Sequence, residues 1–123
     1  MKTPAPIYLP KWAWHHRTLT RLHAGLLAAR REHTAETRLP HERGGADAVD
    51  FTEGELELRD LRAELAHEES ALVEIEAALL RLREGRYGIC EDTGARIPAA
   101  RLRALPWTRF SRAAAERREA AAR

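Results

Sequence analysis

Between Leu58 and Leu82 apolar residues recur at alternating steps of three and four: Leu58, Leu61, Leu65, Leu72, Ile75, Leu79 and Leu82, with Glu68 as the polar member of the series. A heptad sustained over that length specifies a coiled-coil helix. An uninterrupted helix from about Phe51 to Glu84 runs roughly 50 Å at about 1.5 Å per residue. A rod with one wet apolar stripe cannot stand alone, so it needs a partner. Leu19, Leu22, Leu26 and Ala29 offer the same spacing between about Lys11 and Arg38. Pro40 and the pair Gly44 and Gly45 separate the two segments, which predicts an antiparallel αα-hairpin with its tip near residues 44 to 50. That pairing brings Trp12 and Trp14 toward Leu79 and Leu82 at the open end, where the rest of the chain attaches.

Composition agrees with long amphipathic helices. Seven Gly and six Pro in 123 residues, with 44% hydrophobic and 33% charged residues, argue against a sheet protein. One cysteine excludes an internal disulfide framework and a cysteine-rich metal site. No run reaches the roughly 18 apolar residues of a membrane span. Met1 to Trp14 carries prolines at positions 4, 6 and 10 and no apolar export segment, so a cytoplasmic location is expected. The net charge of +2 conceals a segregation: residues 53–84 hold ten acidic and four basic side chains, whereas residues 85–123 hold nine basic and four acidic. Phosphate would repel the acidic middle, which disfavours nucleic-acid binding there.

The pattern changes at Gly85. Arg86-Tyr87-Gly88-Ile89-Cys90 and Ala95-Arg96-Ile97 read as two short strands about an Asp92-Thr93-Gly94 turn. Pro98 opens a short helix to about Ala104, and Pro106 follows it. Ser111 is placed to cap a last helix through the Ala- and Arg-rich tail. Tyr87, Ile89, Ile97, Leu102, Leu105, Trp107 and Phe110 form the expected small core, with Trp12 and Trp14 as possible additions.

The segment from Gly85 through Cys90, Thr93, Ile97, Leu102 and Pro106 to Ser111 and Ala114 resembles the C-terminal zinc-finger region of the DksA/TraR family. That family carries four cysteines as C-x2-C, a spacer, and C-x2-C. The matching positions here are Cys90, Thr93, Ser111 and Ala114, with the spacing kept and three of four thiolates replaced. Zinc needs four good donors, and this set supplies one. A rescue by His15 or His16 reaching Cys90 is the competing metal reading. A structural zinc supplies on the order of 10 kcal/mol of folding free energy. Burying two aromatic rings, at about 200 Å² each and about 25 cal/mol per Å², gives a similar sum.

At the tip, Asp47-Ala48-Val49-Asp50-Phe51-Thr52 is similar to the family's two aspartates three apart, with Thr52 where an alanine is usual. The resemblance implies a regulator that enters the secondary channel of bacterial RNA polymerase. Asp47, Asp50 and Thr52 would then lie near the active centre and modulate initiation. Family positions thought to hold guanosine tetraphosphate, a stringent-response alarmone, align with Glu74, Leu105 and Ala115. These carry no cation, so alarmone independence is expected.

Plainer readings stand beside these. Asp50 with Glu53, or Thr52 with Glu55, also fits a capping box. Cys90 reads as a small buried residue, and the C-terminal arginines as a balance to the acidic rod. The expected fold is mainly α: a long antiparallel coiled-coil hairpin (17–84), a small α+β degenerate zinc-finger domain with a C-terminal helix (85–123), and an N-terminal extension (1–16) packing near the head. The expected protein is a monomeric regulator that binds bacterial RNA polymerase and needs no cofactor or metal. It contacts neither membrane nor specific DNA. It is not an enzyme, because no base, nucleophile and orienting group occur together. The rivals are a coiled-coil interaction or dimerisation protein and, more distantly, a nucleic-acid-binding zinc-ribbon derivative.

Overall fold

The computed structural model describes residues 8–38 and 53–123. A 3-10 turn, Pro10–Trp12, leads into α1 (Ala13–Arg38), and α2 (Glu53–Glu84) returns beside it. Two short helices, α3 (Ala99–Ala104) and α4 (Arg112–Ala122), belong to the head. At about 1.5 Å per residue α1 is roughly 39 Å long and α2 roughly 48 Å. Among the described residues no helix is long and apolar enough to cross a membrane.

Cross-helix ion pairs establish the direction of packing. His23 Nε2 lies 3.0 Å from Glu76 Oε1, Arg30 pairs with Glu69, and His33 Nδ1 lies 2.8 Å from Glu68 Oε1. The α2 partner falls in number as the α1 residue rises, so the helices are antiparallel, as the hairpin reading requires. The α2 stripe is largely as expected: Leu72, Ile75, Ala78 and Leu82 are buried, and Glu68 is buried among them. The α1 stripe is different. Its inner face steps by four and three through Leu19, His23, Leu26, Arg30 and His33, and Leu22 is turned outward at 37% exposure. One helical residue is a rotation of about 100°, so the polar partners at 23, 30 and 33 fix a face that leucine spacing alone misassigns.

Apolar burial is uneven along the rod. Leu58, Leu61 and Leu65 are half-buried. Beyond Leu72 toward the tip, no described apolar side chain of α2 is buried. The core sits instead at the open end, where Leu19, Ile75, Ala78 and Leu82 meet Tyr87, Cys90, Ile97, Leu102 and Ala114. Trp12, Trp107 and Phe110 pack against this cluster. Ile89, expected in the core, is 38% exposed. Trp14 lies against His15 and under the Arg103 guanidinium, 4.5 Å from the ring centre.

Gly85, at φ +76°, stops α2. The Arg86 N–H donates to the Arg81 carbonyl at 2.9 Å and the Gly85 N–H to the Leu82 carbonyl at 3.4 Å, the two bonds of a Schellman cap. The two expected strands reduce to a single antiparallel bridge, Ile89 with Arg96. The reason is local. The Gly94 N–H turns back onto the Cys90 carbonyl at 2.9 Å, and Gly88 and Gly94 both hold positive φ, so the chain bends before a ladder can extend. Gly88 is also a spatial requirement, because a Cβ there would meet Trp12 at 3.1 Å. Pro98 precedes α3 and Ser111 caps α4, its hydroxyl accepting from the Ala114 N–H.

Candidate functional site

The fold brings together the four finger positions that the sequence singled out. Cys90 and Ala114 are buried in one cluster at 1% and 0% exposure. The Cys90 thiol donates to Ser111 Oγ at 3.7 Å, and that oxygen accepts from the Ala114 N–H at 3.3 Å. Thr93 Oγ1 accepts from the Ala95 N–H at 3.2 Å, and the Cys90 N–H donates to the Ala95 carbonyl at 2.8 Å. This is a tight knuckle turn built to aim donors at a sulfur.

The turn governs the thiol's acidity. Burial pushes the Cys90 thiol up. The Thr93 hydroxyl and backbone hydrogen bonds at Ser111, Thr93 and Asp92 outweigh that and bring it down to about 6. The signal was in the sequence as the C-x2-T turn, but it is legible only if the backbone donors are counted with the side chains.

One thiolate, two hydroxyls and a methyl do not fit a tetrahedral zinc. Both candidate histidines are packed against aromatic rings. The His15 ring packs edge-on against Trp12, Trp14 and Tyr87, and His16 stacks on Tyr8 at 4.3 Å. Burial, then the charge of Arg103, lower the His15 pKa and favour its neutral form. The neighbouring acids are also engaged. Asp92 accepts from Arg118 at 2.8 and 2.5 Å, and Glu91 pairs with Arg81 and Arg109.

Arginines hold the segment that follows α3, a feature that sequence reasoning missed. Arg81, 3% exposed, donates through Nη2 to the carbonyls of Trp107 and Thr108, both at 3.2 Å. Its Nη1 lies 3.7 Å from Glu91. Arg101 donates to the Phe110 carbonyl at 2.9 Å, and Arg109 bridges Glu74 at 2.7 Å and Glu91 at 3.5 Å. Arg118 reaches from α4 over the Phe110 ring to Asp92. Tyr87 seals the other side, its hydroxyl donating to the Pro106 carbonyl at 2.8 Å. Burial raises its pKa and keeps the phenol protonated. On helix periodicity Arg81 reads as one more solvent-facing charge of α2; only its register beside the head makes it a clamp.

Glu74, one of the three positions matched to alarmone contacts, is committed to Arg109. The tip residues Asp47, Asp50 and Thr52 lie outside the described residues.

An antiparallel helical rod ending in a zinc-finger-shaped head defines the class of protein. Residues 85–120 match the prokaryotic dksA/traR C4-type zinc finger. The whole chain is similar to the solved structure of transcription factor DksA2 from Pseudomonas aeruginosa, with a TM-score of 0.74 and 27% identity over 97% of this chain and 91% of that one. It is 42% identical over 65 residues to the RNA polymerase-binding transcription factor DksA of Caulobacter vibrioides, covering 53% of this chain and 42% of the relative. General stress protein 16O of Bacillus subtilis is 45% identical over 40 residues, 32% of this chain and 24% of that protein. These matched stretches therefore span less than half the length of the curated relatives. The head thus resembles the DksA/TraR zinc finger in sequence, and rod and head together share the fold of DksA2.

Proposed function

We propose that this protein is a transcription regulator that binds bacterial RNA polymerase through the secondary channel. It inserts the hairpin so that Asp47, Asp50 and Thr52 at its tip approach the active centre and modulate initiation. The observation that carries the reading is the likeness to DksA2 along 97% of the chain, rod and head together. A helical rod roughly 48 Å long is suited to deliver carboxylates into a narrow channel. There they act on mobile polymerase elements or on the metal-bearing centre through charge. The regulator works as a cytoplasmic monomer, performs no chemistry on a substrate, and reads no DNA sequence directly.

In this reading the head is zinc-free. Its knuckle keeps the finger's shape while Arg81, Arg101, Arg109 and Arg118, with Trp12, Tyr87 and Trp107, do the holding. The regulator also acts without the alarmone, because Glu74, Leu105 and Ala115 offer a polyphosphate no cation.

Core RNA polymerase pull-down followed by transcription in vitro tests the proposal. Asp47→Ala with Asp50→Ala should leave binding intact and remove the effect on initiation. Absence of binding by the parent chain would leave a coiled-coil interaction protein as the better description. An alarmone site on the polymerase complex that depends on this protein would refute the alarmone-free reading.

A further inference from the structure

Where the rod is thinnest in apolar packing, it carries three metal-ligating side chains. Glu68 occupies a seam position of the heptad and is 8% exposed, yet its Oε2 is shielded from water and bonded to nothing. His33 faces it from α1, with Nδ1 2.8 Å from Glu68 Oε1 but outside hydrogen-bond geometry. Glu64, one turn earlier on the same face of α2, lies 3.4 Å from His33 Nε2 and keeps its side chain 61% exposed. One ligand atom from each of the three falls within 4.8 Å of the other two.

We propose that His33, Glu64 and Glu68 bind a divalent transition-metal ion, zinc first among them, and that the ion staples α1 to α2 in the outer half of the rod. Ligands about 2.0 to 2.1 Å from a tetrahedral zinc stand about 3.4 Å apart. The two short approaches use opposite nitrogens of the His33 ring. A single nitrogen and the two carboxylates, which lie within 4.8 Å of one another, must therefore draw together, and the exposed Glu64 side chain is the one placed to move. One imidazole nitrogen and two carboxylate oxygens suit a borderline ion, with water completing the shell. Glu64 is free to swing in, whereas Glu68 and His33 are already held between the helices. Without a metal, a carboxylate at a seam position is costly, since a buried oxygen with no partner loses its hydration. No described apolar side chain of α2 tipward of Leu72 is buried, so an ionic crosslink there would contribute most of the local cohesion. The inference does not depend on the polymerase reading, because it concerns the hairpin itself.

The test is calorimetric titration of the full, metal-stripped chain with zinc chloride, together with thermal melting followed by helicity. The expected result is a single high-affinity site per chain and a midpoint raised by roughly 10 °C at a hundredfold excess over Kd. Glu64→Gln, at an exposed position that folding tolerates, should weaken binding by roughly tenfold or more, as should His33→Ala. Cys90→Ala should leave binding unchanged. Failure of the parent chain to bind zinc would overturn the proposal and leave the trio as a polar register pin. Binding that survives His33→Ala, or that disappears with Cys90→Ala, would overturn it by placing the ion elsewhere.

Discussion

If arginine has taken over the holding role of a finger metal, Arg81 is the residue whose loss should show it. Its guanidinium is 3% exposed and donates to the carbonyls of both Trp107 and Thr108. Arg81→Met keeps the apolar stem and removes both donors. Two hydrogen bonds to a charged group are worth about 1.5 to 3 kcal/mol each, and part of that is offset because a buried cation no longer needs desolvating. The net loss should be about 3 kcal/mol, or roughly 12 °C in midpoint for a chain of this size. Arg81→Lys restores a point charge but cannot fork to two carbonyls and Glu91 together, so it should recover about half. Urea unfolding read by tryptophan fluorescence follows the head, and the same titration read by far-ultraviolet circular dichroism follows the rod. The fluorescence midpoint should move at least as far as the helical one. An Arg81→Met protein within about 0.5 kcal/mol of the parent, well inside the range of neutral surface changes, would refute the clamp.

Gly88→Ala should destabilise by about 2 to 3 kcal/mol, since it combines a left-handed backbone at φ +84° with a 3.1 Å approach to Trp12. Gly25→Ala, in α1 with nothing within 4 Å, should instead stabilise by about 0.5 to 1 kcal/mol; calorimetric melting of the pair checks the contrast. Thiolate ultraviolet absorbance of the folded protein should rise through a midpoint of about 6, and Thr93→Val, which removes the side-chain donor, should move that midpoint upward. Because the folded thiol lies below its unfolded value of 9.0, its stabilising contribution is complete above that value and is lost as pH falls through about 6. In a His33→Ala background a strong chelator should leave the fluorescence midpoint unchanged, and a large drop would restore a zinc site to the head.

Sequence periodicity read α2 well because its seam is dense in leucine, so a single register buries Leu72, Ile75 and Leu82 together. The same logic misplaced Leu22 on α1, where His23, Arg30 and His33 take seam positions and a hydrophobic count passes over them. The closeness of Cys90 to Ser111 and of Ser111 to Ala114 was legible from their C-x2-C-like spacing alone. The two strands were not, because Gly88 and Gly94 bend the backbone out of any ladder longer than Ile89 with Arg96. The arginine clamps were the least legible. A charge on a helix advertises solvent, and only the tertiary position of the segment carrying Trp107 and Thr108 turns Arg81 inward.

The distribution of burial gives the molecule a mechanical gradient. At the open end, a nine-residue buried cluster, an aromatic group around Tyr87, and Arg81 and Arg109 fix the head to the base of the rod, while Arg101 and Arg118 tie the head to itself. Toward the tip the apolar contribution fades, and cohesion passes to His23 with Glu76, Arg30 with Glu69 and His33 with Glu64 and Glu68. An exposed pair such as Arg30 with Glu69 contributes about 0 to 1 kcal/mol and weakens with salt, so an outer rod with no buried apolar side chain of α2 tipward of Leu72 opens at lower cost than the base. A rod built this way keeps its base rigid while its far end yields more readily. The cost of opening that end is then set by ionic strength and any ion held at Glu68 far more than by the core beneath the head.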